Sequence, residues 1–123
     1  MRVGPATAAA GGQKAPHITA EKITPEYTWT LRTANKPGVV QVGLTLRDAR
    51  GASVQGRTIK GGVWMPDMPM QGYPMELAFQ EADAGQYFAL VQYGHGGFWR
   101  ITAEFTDDGG QRRRQSFDLD IAE

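Results

Sequence analysis

Four of the five methionines in this 123-residue chain lie within eleven consecutive positions: Met65, Met68, Met70 and Met75. Thioether sulfur is a soft, neutral ligand that suits Cu(I) and poorly suits zinc, calcium or magnesium. Two or three methionines and one imidazole make a reasonable Cu(I) shell, and His95 is the candidate imidazole. It sits in a glycine-rich stretch between two predicted strands, where the backbone is free to bend toward a neighbouring loop.

The spacing of the methionines limits how they can act together. Met68 and Met70 are two residues apart, so in an extended segment their side chains would project from one side. Three prolines withhold backbone donors, which predicts a sheet edge or a rigid loop. They are Pro66, Pro69 and Pro74.

Two other interpretations of the methionines stay open. Methionine is an adaptable core residue, so these side chains could fill irregular gaps beside Trp64 and Trp99. Methionine and tryptophan exposed together could instead form a docking surface for a protein partner. His17, the second histidine, is predicted to be solvated, with the capping of a metal site as the alternative.

The sequence lacks the residues that several common kinds of protein chemistry require. The chain has no cysteine, which excludes disulfides, thiolate metal sites and cysteine nucleophiles. It has no G-x-S-x-G, H-E-x-x-H or G-x-x-x-x-G-K-[ST] motif. An enzyme would require a cleft that gathers Asp67, His95 and a tyrosine, so we predict a non-catalytic protein with no catalytic residues.

The charge balance and the hydropathy of the chain limit the classes of binding partner that we expect. Thirteen basic residues balance thirteen acidic ones, so no global field favours nucleic acid. The chain contains no run of about 18 apolar residues, which is the length that a membrane-spanning helix requires, so no membrane span is predicted in it. Residues 1–16 are rich in small residues and read as a flexible leader or linker, which leaves residues 17–123 as a single domain.

Alternating apolar residues predict an all-β fold. The clearest pattern joins Val40, Val42, Leu44 and Leu46. Further strands are expected to begin at Tyr27 and at Met75 and to cover residues 53–59, 86–93, 98–106 and the carboxyl end. The strand over residues 53–59 is the weakest, and residues 60–62 are expected to end it. The last two strands should form a hairpin. This pattern predicts an antiparallel immunoglobulin-like Greek-key sandwich of seven or eight strands.

A second motif is interpreted as structural. Asp83, Gly85 and Tyr87 have the spacing of a tyrosine corner, in which the tyrosine hydroxyl bonds to upstream backbone and fixes a crossover between strands. We therefore predict structural roles for these three residues, and for Trp99 in the core.

The span from Val63 to the end resembles the YtkA-like family, which is related to the FixH proteins of bacterial cell envelopes. The resemblance rests on three motifs in order, Met-Pro-x-Met-x-Met, Gly-x-Tyr and Gly-x-Trp. Here they are residues 65–70, residues 85–87 and residues 97–99.

The resemblance implies an immunoglobulin-like domain in the periplasm or otherwise exposed at the cell envelope, as the soluble part of an anchored or exported protein. It implies copper trafficking, efflux or oxidase maturation, with membrane-associated metal-transport or oxidase-assembly proteins as partners. It carries over Met65, Met68 and Met70 as candidate ligands. Some members place a histidine directly after the methionines, whereas this chain has Gln71, so His95 would have to compensate.

Overall fold

The computed structural model describes residues 15–123. Most of the predicted leader, residues 1–14, lies outside this range. Eight antiparallel strands form the described part, in which no residue is helical: β1 His17–Ile23, β2 Tyr27–Ala34, β3 Gly38–Asp48, β4 Ile59–Trp64, β5 Met75–Asp83, β6 Gln86–Tyr93, β7 Gly97–Thr106 and β8 Arg112–Ile121. Accordingly, the described residues contain no helix capable of crossing a membrane.

The strands form two layers that share one strand. The strand order is β1-β2-β3-β6-β5-β4-β7-β8. The first half of β5 pairs with β4, from Met75 to Phe79. Its second half pairs with β6 from Gln80 onward, with a register shift between Glu81 and Asp83. A strand that passes from one sheet to the other at an irregularity makes a corner between them.

The connections are of Greek-key type. β4, β5 and β6 follow one another as neighbours, and β3, which is joined to β4 by the long connection over residues 49–58, lies beside β6. This is the arrangement that defines a Greek key. The prediction of an all-β antiparallel sandwich is confirmed, with eight strands, and so is the final hairpin of β7 and β8.

Residues that alternate along the strands supply the core. Val42, Leu44 and Leu46 of β3 are almost fully buried, whereas Gln41 and Arg47 are exposed, because successive side chains of a strand point to opposite faces. Aromatic residues fill the space between the layers. Trp29, Tyr87, Tyr93, Trp99 and Phe117 are the largest of the fully buried side chains.

Two strand predictions were wrong. Residues 53–58 were expected to belong to a strand, but they contribute only an isolated bridge between Ser53 and Arg47. The expected break at Gly61 and Gly62 lies inside β4 instead. A β-carbon on Gly61 would overlap the carbonyl of Thr102 in β7. The glycine therefore permits a close approach of two strands.

Tyr87 joins β6 to the long connection between the layers. Its hydroxyl donates to the Val54 carbonyl at 2.8 Å and accepts from the Arg57 amide at 3.2 Å. Burial raises the pKa of this hydroxyl. Gly85 has a φ of 71°, and a β-carbon there would lie 2.8 Å from Cβ of Ser53. The connection thus packs closely against the turn before β6, while Asp83 is exposed and accepts from the Ala84 amide.

Asn35, in the turn between β2 and β3, connects the two outer strands of the sandwich. Its Oδ1 accepts a 2.8 Å hydrogen bond from the Ala122 amide, directly after β8. Its side-chain amide donates to the Ala15 carbonyl at 3.0 Å and its backbone amide to the Pro16 carbonyl at 2.9 Å. One side chain therefore ties the beginning of β1 to the end of β8.

Candidate functional site

The methionine segment and the His95 loop meet at one end of the sandwich. Residues 65–74 connect β4 to β5, and residues 94–96 connect β6 to β7. β4 lies between β5 and β7, with Val63 opposite Met75 and Trp64 opposite Arg100. Because β4 pairs with both β5 and β7, the two loops that adjoin these strands are neighbours.

The methionine loop consists of two successive turns. The Met68 amide donates to the Met65 carbonyl at 3.3 Å, and the Tyr73 amide donates to the Met70 carbonyl at 3.3 Å. Pro66 fits the second position of the first turn, and Gly72, with a φ of 86°, suits the third position of the second. Met68 ends the first turn and Met70 begins the second, so the two side chains belong to different turns.

Two methionines approach the glycines on either side of His95, which are Gly94 in the loop and Gly97 at the start of β7. The ε-methyl of Met65 lies 2.7 Å from the position that a β-carbon on Gly97 would take. The ε-methyl of Met70 lies 3.4 Å from the corresponding position on Gly94. Glycine at both positions lets the ends of the two methionine side chains approach the backbone on either side of His95.

The His95 side chain is held through one ring nitrogen. Its Nδ1 lies 2.7 Å from the carbonyl oxygen of Gly96. Because a carbonyl can only accept, Nδ1 carries the proton, and in the neutral ring Nε2 keeps a lone pair. Ligating histidines are commonly oriented in this way, by donating the other nitrogen to a backbone carbonyl. The ring is half-buried.

Aromatic side chains support both loops. The Trp99 indole donates to the His95 carbonyl at 2.9 Å. The Trp99 ring lies 5.3 Å from the rings of Tyr73 and Tyr93 and 6.2 Å from the imidazole, measured between centroids. The Tyr73 hydroxyl donates to the Gln92 carbonyl at 2.8 Å, so the methionine loop is attached to β6.

The four methionines have different environments. Met65 is 7% exposed and belongs to the core, whereas Met68 is 48% exposed at the tip of the loop. Met70 and Met75 are half-buried and pack against the core. Met75 lies within β5 rather than in the loop. The structure thus brings Met65 and Met70 to the His95 loop and leaves Met68 directed to solvent.

Few charged side chains lie near the two loops at this end of the sandwich. Among residues 15–123, no group of three or more His, Asp or Glu side chains is placed to hold a metal ion. Arg100 pairs with Asp118 through hydrogen bonds of 2.7 and 3.2 Å. That pairing is the main reason that the pKa of Arg100 is raised, with a smaller contribution from Asp67. His17 is exposed on β1, opposite Ala34.

Sequence reasoning missed three residues that shape the site. Tyr73 anchors the loop, and Gly94 and Gly97 receive the methionine side chains. An aromatic residue within the methionine segment and glycines on both sides of a histidine were the available signals.

Comparisons with known proteins yield no relative. No family model, no curated protein and no solved structure matches the chain. The resemblance to the YtkA-like family therefore stays a prediction.

Proposed function

We propose that this protein is a non-catalytic metal-handling module that binds Cu(I) through Met65, Met70 and His95. The observation that carries the proposal is that the ε-methyl groups of Met65 and Met70 lie against Gly97 and Gly94, on either side of a histidine whose Nδ1 is already engaged. Two soft sulfur ligands and one neutral imidazole nitrogen form a donor set that suits Cu(I).

The environment of these residues also supports reversible binding. Thioethers are neutral and do not compete with protons for the metal, so their partial burial avoids the cost of burying charge. Met68, exposed on the same loop, is suited to receive or release the ion at the surface. Met75 has no assigned role in this proposal, because it lies in β5 and packs against the core.

The cellular context is proposed from the resemblance. The domain would be an immunoglobulin-like sandwich outside the cytoplasm, in the periplasm or at the cell envelope. Its partners would be membrane-associated proteins of copper transport or oxidase assembly. The Greek-key connections and the Tyr87 hydrogen bond to Val54 are compatible with the immunoglobulin-like assignment.

Competition for Cu(I) with a chromophoric chelator under anaerobic conditions tests the proposal. Met70→Leu and His95→Gln should each weaken binding by about tenfold or more, since each removes one ligand. Leucine keeps most of the methionine volume, so the fold should survive. Met75→Leu is the matched control and should bind as the wild type does. Equal affinity in the wild type, Met70→Leu and Met75→Leu would reject the site.

The alternative function is a protein-interaction module without metal. The exposed Met68 favours it, and so does the packing of Met65 in the core. In that case the folded wild type would show no measurable Cu(I) affinity in the same titration. Met68→Glu would then weaken association with a membrane partner without changing stability.

A further inference from the structure

A depression of about 580 Å³ lies on the outer face of the sheet formed by β1, β2, β3 and β6, and none of residues 65–75 lines it. Its floor lies at Gly43 of β3, which pairs with Arg32 of β2 on one side and Phe88 of β6 on the other. A β-carbon on Gly43 would lie 3.2 Å from Cε1 of Phe88, so the aromatic ring leans across this residue. The volume falls within the range of small-molecule sites.

The two formally charged residues that line the depression are both basic. They are Arg32 and Lys36, whereas the carboxylates of Glu21, opposite Thr30, and Asp83, opposite Gln86, adjoin lining residues without lining the depression themselves. Within residues 15–123, neither Arg32 nor Lys36 takes part in an ion pair, although five other pairs are formed. Cationic groups that form no ion pair favour an anionic occupant.

The same surface is also apolar. Val39, in its lining, is 66% exposed, and Leu90 beside it is 69% exposed. Leu90 lies opposite Gln41, and Val39 lies two residues from Gln41 along β3, so the two side chains are diagonal neighbours. Large exposed apolar side chains that adjoin one another mark binding surfaces.

We propose that this depression binds a small organic anion with an apolar body, such as a medium-chain carboxylate. The anionic group would pair with Arg32 and Lys36, and the chain would lie over Phe88 and Val39. A second copy of the protein is a poorer occupant, because a symmetric contact would oppose like charges. Residues 1–14 contain Arg2 and Lys14 and no acidic residue, so their charge does not complement the surface either.

Decanoate is the probe that tests the proposal, with binding followed through amide chemical shifts in two-dimensional NMR spectra. The shifts should centre on residues 41–43 and 86–90. Arg32→Gln should weaken decanoate binding by about tenfold. Arg50→Gln removes the same charge from an exposed turn and should leave binding unchanged. Methyl decanoate, which has no charge, should bind about tenfold more weakly than decanoate.

A second pair of variants tests the apolar contribution. Val39→Thr keeps the branched shape and removes apolar surface from the depression, so it should weaken binding about threefold. Ile23→Thr makes a comparable change at a side chain that is 71% exposed on β1, outside the depression, and should have no effect. Equal weakening by both arginine variants, equal binding of the methyl ester, or shifts centred on residues 65–74 would overturn the proposal.

Discussion

The indole Nε1 of Trp99 donates a hydrogen bond to the backbone carbonyl of His95, four residues earlier in the chain. The donor is fully buried at the start of β7, and the acceptor belongs to the loop that carries the imidazole. This bond therefore attaches the loop at the candidate copper site to a side chain that is fixed in the core.

Trp99→Phe tests that relationship. The variant keeps an aromatic ring and removes the donor, which leaves the His95 carbonyl without this partner. We expect a loss of about 2 kcal/mol in the free energy of unfolding, from the hydrogen bond and the reduced packing. Urea denaturation followed by circular dichroism measures it. Trp64→Phe changes a half-buried tryptophan and should cost clearly less. Equal costs would show that the hydrogen bond contributes nothing.

Gly61 and Gly62 offer a test of the close approach between β4 and β7. Gly61→Ala should destabilise the fold by about 3 kcal/mol or prevent folding, because its β-carbon would overlap the Thr102 carbonyl. At Gly62 the nearest atom would lie at an ordinary 3.6 Å. Gly62→Ala should therefore change stability by less than about 1 kcal/mol. The two thermal midpoints decide the matter, and similar midpoints would refute the steric explanation.

The pH dependence of stability should report on Tyr93. Its hydroxyl is buried 2.8 Å from Oγ1 of Thr33, and desolvation raises its pKa to about 12. The unfolded tyrosine has a pKa of about 10. The contribution of this group is therefore complete below pH 10 and is lost as the pH rises through about 12, where the buried hydroxyl must ionise.

Tyr93→Phe provides the comparison. Between pH 10 and 12 the wild type should lose stability faster than the variant, by up to about 1.4 kcal/mol per pH unit. Thr33 keeps a partner in the variant, because its hydroxyl lies 3.1 Å from the Ala34 carbonyl. Urea titrations at several pH values measure the difference, and parallel curves would contradict the assigned pKa.

Asn35 should stabilise the contact between the outer strands. Asn35→Ala removes the bonds from its side chain to Ala122 and Ala15, and we expect a cost of about 1 to 2 kcal/mol. Asn35→Asp retains the acceptor and should protect the Ala122 amide from hydrogen exchange better than alanine does. Identical exchange in the two variants would show that Oδ1 does not hold the end of β8.

Much of the fold could be predicted from sequence where burial is one-sided. The alternation from Val40 to Leu46 identified β3 because one face of that strand is buried. β1 was missed because it is an outer strand: Ile18 and Ala20 are only half-buried, so its alternation is weak. The glycines of β4 were misread because the constraint on Gly61 comes from Thr102, a residue distant in sequence.

The sequence indicated which kinds of residue form the candidate site, but it did not indicate how they are arranged in space. Clustered methionines and a glycine-flanked histidine drew attention to both loops. The two turns over residues 65–73 place Met68 in solvent and Met70 against the core, which a two-residue period could not indicate. The contacts of Met65 with Gly97 and of Met70 with Gly94 depend on the Greek-key order of the strands.

The division of β5 between β4 and β6 has a consequence for how the molecule comes apart. Neither layer can detach as an independent subunit of structure, because separation would break the backbone ladder on one half of a continuous strand. Amides in both layers should therefore exchange through one shared global opening, and denaturation should be all-or-none.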